Sequence, residues 1–342
     1  MYARVKSALE LRLANSGFDA STLATTTRQR ALDAAMPSAE ELVAELGAAS
    51  PATLRAHVRQ MLDGGAHVAA YVGGNLDAAE ARACFDGCVA ALGAPPPLPA
   101  SARLDEGCAR LVGGVNHPVI ALPAKNPAET NCAVELYFQL APQSAEEGAR
   151  LSLLEHIMFE PLFDSLRTKQ QLGYSVGCSA RCTAGTLGFV VYLVSATHAA
   201  AQLEAAARAF LAEWVPTLAS MAPAAYARNV AAAAANKLID DHNLGDEASR
   251  YFSEIKAQQY MWGRAEAEAA AMRKLDQADF AAWAADVLCE RPRRLSIHVR
   301  PPKGDAADDA LPEGARRVES AEAAREGLAV EPMAVEPLPS AE

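Results

Sequence analysis

The stretch that most constrains what this chain can fold into is Glu155–Val176, read with the leucines just before it. Leu151, Leu154, Met158, Leu162 and Leu166 recur at three- and four-residue steps, so they share one helical face. Pro161 has no backbone N–H and collides with the preceding turn, so the spacing predicts a kink there. Gly173 is expected to end the helix in a left-handed conformation, and a strand-like run begins at Tyr174. Any fold must therefore turn a helix into a strand within a few residues. It must do so with a permanently charged Arg167 near the helix end and a phenol, Tyr174, just past the turn.

A chain of 342 residues has room for two or three domains and a sizeable core. Hydrophobic residues make up 51% of it, but much of that is alanine, which favours helix and buries little area per residue. A formal net charge of −11 argues against a nucleic-acid partner, whose phosphates need a basic face. No apolar run approaches the ~18 residues of a membrane span, so no membrane partner is expected. The seven cysteines do not form a compact disulfide framework, which points to a reducing compartment, the cytoplasm first, with mitochondrion or plastid left open. Cys84/Cys88 and Cys178/Cys182 are each four apart, a spacing zinc tolerates. The first pair lies on an alanine-rich helix pattern and the second straddles a strand and turn, so buried or free thiols are the expected reading. Arg4, Lys6 and Arg12 suit a transit peptide, whereas Glu10, Asp19 and Asp33 do not.

Along the chain, residues 2–15, 22–35, 38–47 and 51–62 read as helices, the third opened by a Ser38/Glu41 capping box. Residues 67–72 alternate as a strand, and a glycine pair leads from there into a helix ending at Leu92. Gly73-Gly74 lacks the spacing of a phosphate loop. Pro95-Pro96-Pro97-Leu98-Pro99 is a linker. Residues 109–122, 132–140, 174–180, 187–195 and 295–299 read as strands. Residues 198–220, 223–240, 246–261 and 276–288 read as helices. This order gives an α+β fold with an antiparallel-rich sheet and packed helices. Residues 301–342, rich in Ala, Pro and Glu and poor in aromatics, are expected to form an acidic, largely disordered tail.

Several of these segments share one resemblance. The run E-P-L-F-D-S-L-R-T-K-Q-Q-L-G-Y at 160–174 resembles the C-terminal half of the insulinase (pitrilysin-type, inverzincin) zinc metallopeptidases. So do Y-A-R-V-K-S-A-L-E-L-R-L-A-N at 2–15, V-G-G-N-L-D-A-A-E-A at 72–81, and the N-P-x-E-x-N-x-x-x-E pattern at 126–135. The resemblance implies a partial third domain over 1–94, entered midway, a linker at 95–101, and a fourth domain over 102–300. It also implies that Met1 enters a domain whose uncovered apolar face drives self-association of the isolated chain, as a homo-oligomer or aggregate.

The family's zinc motif is H-x-x-E-H, two helical histidines one turn apart with a glutamate that activates water. Here residues 152–156 read S-L-L-E-H, so Ser152 replaces the first ligand and His156 has no partner imidazole. No metal site and no cofactor is expected in this chain, and the resemblance places zinc in a missing N-terminal half. It further implies that Arg167 and Tyr174 act on the substrate, donating hydrogen bonds to its backbone and to the developing oxyanion. Read on their own residues, they are an arginine at a helix C-terminus and a core tyrosine in a strand. The 238–245 stretch, L-I-D-D-H-N-L-G, lacks a basic cluster, so no anionic activator is expected there. Two functions stay open. One is the substrate-binding half of a metalloendopeptidase, inert alone and active on peptides when joined to a zinc-bearing half or subunit. The other is a non-catalytic peptide-binding or scaffolding module.

Overall fold

The computed structural model describes residues 1–98, 102, 106–114, 117–303, 311–312 and 314–333. The chain starts with five helices, α1 (Tyr2–Ala14), α2 (Ala20–Leu32), α3 (Ala39–Ala48), α4 (Pro51–Asp63) and α5 (Ala78–Ala91). Next come β1 (Gly107–Ala109), β2 (His117–Pro123), β3 (Cys132–Pro142), α6 (Ala145–Leu162) and a π-helical segment, Phe163–Lys169. A hairpin of β4 (Ser175–Thr183) and β5 (Thr186–Ser195) precedes α7 (Ala200–Trp214), α8 (Thr217–Ser220), α9 (Pro223–Lys237), α10 (Leu244–Lys256), α11 (Arg264–Met272) and α12 (Gln277–Ala285). A second π-helical turn, Asp286–Glu290, leads to β6 (Arg293–Arg300), β7 (Ala315–Val318), α13 (Ala321–Arg325) and β8 (Val330–Pro332).

The main sheet has the order β4-β5-β3-β6-β2-β7. Its β4–β5, β5–β3 and β3–β6 pairings are antiparallel, and β2 pairs parallel with both β6 and β7. The fold is therefore α+β with a mostly antiparallel sheet. Strand alternation sorts the side chains onto two faces. Val134, Leu136 and Phe138 of β3 meet Phe189, Val191 and Leu193 of β5 under α6, α7, α9 and α12. The opposite face, with Tyr137, Val190, Ile297 and Val299, is covered over part of its width by Leu23, Ala24, Ala31 and Leu32 of α2. Helix α2 thus lies before the expected linker in sequence and on the sheet after it in space.

Several expectations change here. Among the described residues, 67–72 form no strand, and an isolated bridge joins Ala66 to Pro97. Alternation makes a strand only where a neighbour supplies the backbone ladder. The pattern at 198–220 breaks at Pro216 into α7 and α8. Helix α11, Arg264–Met272, lies between the patterns at 246–261 and 276–288 and belongs to neither. The tail over 314–333 is ordered: β7 extends the main sheet, and Val318, Ala321 and Ala324 enter the core against α2. Arg325 donates to the carbonyls of Arg30 and Asp33, capping the end of α2 at 2.6 and 2.8 Å. Residues 99–101 of the expected linker, and tail residues 304–310, 313 and 334–342, lie outside the described residues.

Candidate functional site

Ser144 caps α6 by accepting from the Glu147 N–H at 3.2 Å. All five residues of the predicted apolar face are buried. Pro161 cannot donate to the helix ladder, and two residues later the backbone widens into the π-helical segment that carries Arg167. The Gln170 N–H returns to the Ser165 carbonyl, and the Leu172 N–H to the Leu166 carbonyl, both at 3.0 Å. Between them Gln171 adopts φ +54°, so the left-handed residue that closes the helix is Gln171 and not Gly173. Gly173 has a different task. A Cβ at that position would lie 2.1 Å from the Val194 carbonyl oxygen. Only a residue without a side chain lets the chain pass that close and start the ladder.

The next N–H, that of Tyr174, donates to the same Val194 carbonyl at 3.2 Å. Tyr174 therefore has a fixed backbone and a side chain that is 63% exposed. It is not the core tyrosine its strand position suggested. Arg167 is half-buried in the last turn before the reversal, where a helix C-terminus favours a cation. Leu166 and Leu172, both buried, anchor the chain between the two. The fold thus mounts a guanidinium and a phenol on one closed turn.

Ser152, Glu155 and His156 line a cavity of about 500 Å³ between α6 and Ala233, Asn236 and Lys237 of α9. Glu155 Oε2 accepts from the Ala180 N–H at 3.2 Å. Lys237 Nζ, in the same wall, is paired with Glu268 at 2.6 Å. One imidazole, one hydroxyl, a carboxylate turned to backbone and a nearby ammonium are a poor donor set for zinc, which takes three or four N, S or carboxylate ligands. The residues present do not fit the family's metal. Among the described residues no group of three or more His, Cys, Asp or Glu is arranged to hold one. None of the seven cysteines forms a disulfide. Burial pushes the Cys178 thiol up to about 12, so it is no ready thiolate ligand.

Two buried charge clusters escaped the sequence. Glu135 of β3 pairs with Arg28 of α2 at 2.7 Å and accepts from Thr25 Oγ1 at 2.5 Å. Arg28 also sits 5.4 Å from the Tyr137 ring centre. Glu135, Thr25, Ser175, Arg181 and Tyr192 line a cavity of about 190 Å³, one residue along from Tyr174. Across the sheet, Glu204 of α7 is buried against two histidines. His298 Nε2 lies 2.7 Å from Oε2, and His117 Nε2 lies 3.4 Å from Oε1, too far for a strong hydrogen bond. Burial would push the Glu204 carboxyl up, but the close imidazole of His117 and the hydrogen bond with His298 outweigh it and hold it well below the usual range. Glu135 belonged to a recognised pattern. Nothing in the sequence paired it with Arg28, or Glu204 with histidines far from it along the chain.

Residues 153–252, the span that holds Arg167 and Tyr174, match the family of the C-terminal lobe domain 4 of PQQ synthase PqqF-like proteins. Human insulin-degrading enzyme is 33% identical over 180 residues, 51% of this chain and 17% of that protein. Nardilysin-like protein of Arabidopsis thaliana is 32% identical over 215 residues, 59% of this chain and 20% of that protein. Crystalline pitrilysin superposes with a TM-score of 0.79 over 97% of this chain and 35% of its own, at 18% identity. The chain is similar in sequence and fold to the C-terminal half of insulinase-family peptidases. A peptidase M16 inactive domain from Pseudomonas fluorescens shares the fold at TM-score 0.57 and 17% identity, covering 88% of this chain and 70% of its own. The matched stretch spans about a fifth or less of the insulinase-family relatives' length.

Proposed function

We propose that this chain is the zinc-free, substrate-binding half of an insulinase-type metalloendopeptidase, acting on peptides together with a zinc-bearing N-terminal half or subunit. The observation that carries this reading is Tyr174: exposed, yet backbone-locked to Val194, with Arg167 on the other limb of the same closed turn. A guanidinium and a neutral phenol fixed in this way are suited to hold a peptide backbone and to donate to charge that develops on its carbonyl oxygen. The chain would supply positioning and hydrogen bonds, and the zinc-bearing half would supply the activated water. Residues 1–94 would be part of the third domain and 102–300 the fourth, in a cytoplasmic enzyme.

The test is Tyr174→Phe in an enzyme reconstituted with a zinc-bearing half. Deleting the hydroxyl while keeping the exposed ring should lower kcat ~10²–10³-fold with little change in KM or Tm. Arg167→Ala should be less than additive with it if both serve one oxyanion. A kcat within a few-fold of wild type would remove Tyr174 from the chemistry. The second reading, a non-catalytic peptide-binding or scaffolding module, is favoured by Ser152 and by the likeness to an inactive M16 domain. In that case the chain would bind peptide alone, and no zinc-bearing partner would confer hydrolysis on it.

A further inference from the structure

The cavity of about 190 Å³ next to the Tyr174 turn holds polar groups that the peptidase reading does not use. One wall is α2. Glu135 of β3 and Tyr192 of β5 form the floor, and Ser175 and Arg181 of the edge strand β4 form the far wall. Alternation along β4 puts Ser175, Gly177 and Arg181 on one face. A Cβ at Gly177 would lie 2.4 Å from Tyr192 Oη, so the glycine leaves the gap across which the phenol lies, between Ser175 and Arg181. Glu135 brings a negative charge, but both of its oxygens are taken. Oε2 accepts from Arg28 Nε at 2.7 Å and Oε1 from Thr25 Oγ1 at 2.5 Å. Ser21 Oγ, on the α2 wall, donates to Asp19 at 2.7 Å. Arg181 is placed differently. It is half-buried, its Nη1 donates to the Ala180 carbonyl at 2.9 Å, and among the described residues no carboxylate pairs with it. The hydroxyls of Ser175 and Tyr192 likewise make no hydrogen bond among the described residues. An unpaired cation and two unused hydroxyls thus line a cavity whose one lining carboxylate is already paired.

We propose that this cavity binds one carboxylate group on a short aliphatic stem, carried by an acidic peptide side chain or by a free short-chain acid, with Arg181 as its cation and Ser175 and Tyr192 as further donors. The fit is chemical. A guanidinium offers its N–H donors as a planar fork that suits the two oxygens of a carboxylate, and a hydroxyl or phenol adds one directional donor each. The charges agree. Arg28 and Glu135 offset each other, so a single carboxylate balances Arg181, whereas a cationic ligand would have to displace Arg28 or Thr25 from Glu135 and would meet Arg181 as a like charge. Ala24, Ala133 and Val194 supply apolar wall for the stem. The volume is several times the ~30 Å³ share of one water, which suits a side chain of the size of glutamate. The site does not rest on the peptidase reading, because it is read by binding to this chain alone.

The experiment is a saturation-transfer NMR titration of the full chain, a measurement that tolerates self-association. The probes are butyrate, N-acetylglutamate α-amide, its glutamine counterpart and butylamine. Both carboxylates should receive saturation and compete with each other, and the glutamine and amine probes should not. Tighter binding of the glutamyl amide than of butyrate assigns the site to a peptide side chain, and equal or weaker binding assigns it to free acids. Arg181 is half-buried on an edge strand, so Arg181→Gln should fold with an unchanged melt and weaken both carboxylates about tenfold or more, the loss expected for one charge-assisted hydrogen bond. Arg181→Lys keeps the charge without the fork and should recover part of the affinity, which separates loss of the site from loss of the fold. Tyr192→Phe should weaken binding several-fold. Carboxylates that bind Arg181→Gln like wild type, no transfer to either carboxylate, equal binding of the glutamine probe, or butylamine bound in their place would overturn the site.

Discussion

Gly173 and Glu204 each hold a position for which the neighbouring atoms leave little choice. A methyl group at 173 would meet the Val194 carbonyl at 2.1 Å, so Gly173→Ala must push the strand start away from β5. The expected cost is about 1–3 kcal/mol, read as a fall in Tm, and the displaced Tyr174 should lower activity in a reconstituted enzyme beyond what that cost explains. An unchanged Tm would count against the close approach. Glu204 is held below its ordinary pKa in the folded chain. Its contribution is therefore fully present above the ordinary glutamate range and is lost as pH falls towards the folded value. Glu204→Gln should cost roughly 3–5 kcal/mol at neutral pH, because it leaves two buried histidines without their carboxylate. The same change should flatten the acid limb of stability measured by urea unfolding at several pH values. Parallel pH profiles for the two proteins would exclude this role.

At the scale of elements, the parts that complete the sheet come from both ends of the chain. Helix α2 brings Leu23, Ala24, Ala31 and Leu32 to one face, and β7 and α13 add Val318, Ala321 and Ala324 beside them. Arg325 ties these two pieces together through the last carbonyls of α2. Truncation after Arg300 should therefore act on α2 as well as on the tail. It uncovers Ile120 and Leu32, removes the cap, and should lower stability by several kcal/mol, since burying one Val-sized side chain is worth about 1.5–3 kcal/mol. The truncated chain should also bind a hydrophobic dye and exchange the α2 amides faster. Full retention of Tm and of α2 protection would show that the tail merely drapes on the body. The expectation of disorder over 301–342 rested on composition, which does not register a strand four residues long when the neighbouring strand is about two hundred positions away.

Across the whole molecule, burial is uneven. Helices α1, α3, α4 and α5 contain no buried residue, and Val5, Leu11, Leu42, Val43, Leu54, Val58 and Met61 are exposed along them. A soluble monomer seldom leaves so many large apolar side chains open on one part of its surface. The chain on its own should therefore dimerise or aggregate through this part, and co-expression with a zinc-bearing half should restore a monodisperse species. Light scattering behind a sizing column is the measurement. A monodisperse monomer with one cooperative melt would mean that these residues need no cover.

The sequence by itself determined the elements whose signals are local: the leucine face of α6, the Ser38 cap, and a serine at 152 in place of a ligand histidine. Such features depend on residues a turn or two apart, and their physics is written in that spacing. Only the tertiary structure decided that Gln171 takes the left-handed turn, that Tyr174 stands in solvent, and that α2 covers the sheet. It also decided that Glu204 meets His117 and His298, and that Arg28 meets Glu135 across 107 positions. Those outcomes depend on which distant chain segment supplies a hydrogen bond, a charge or an apolar wall, and no local periodicity encodes that choice.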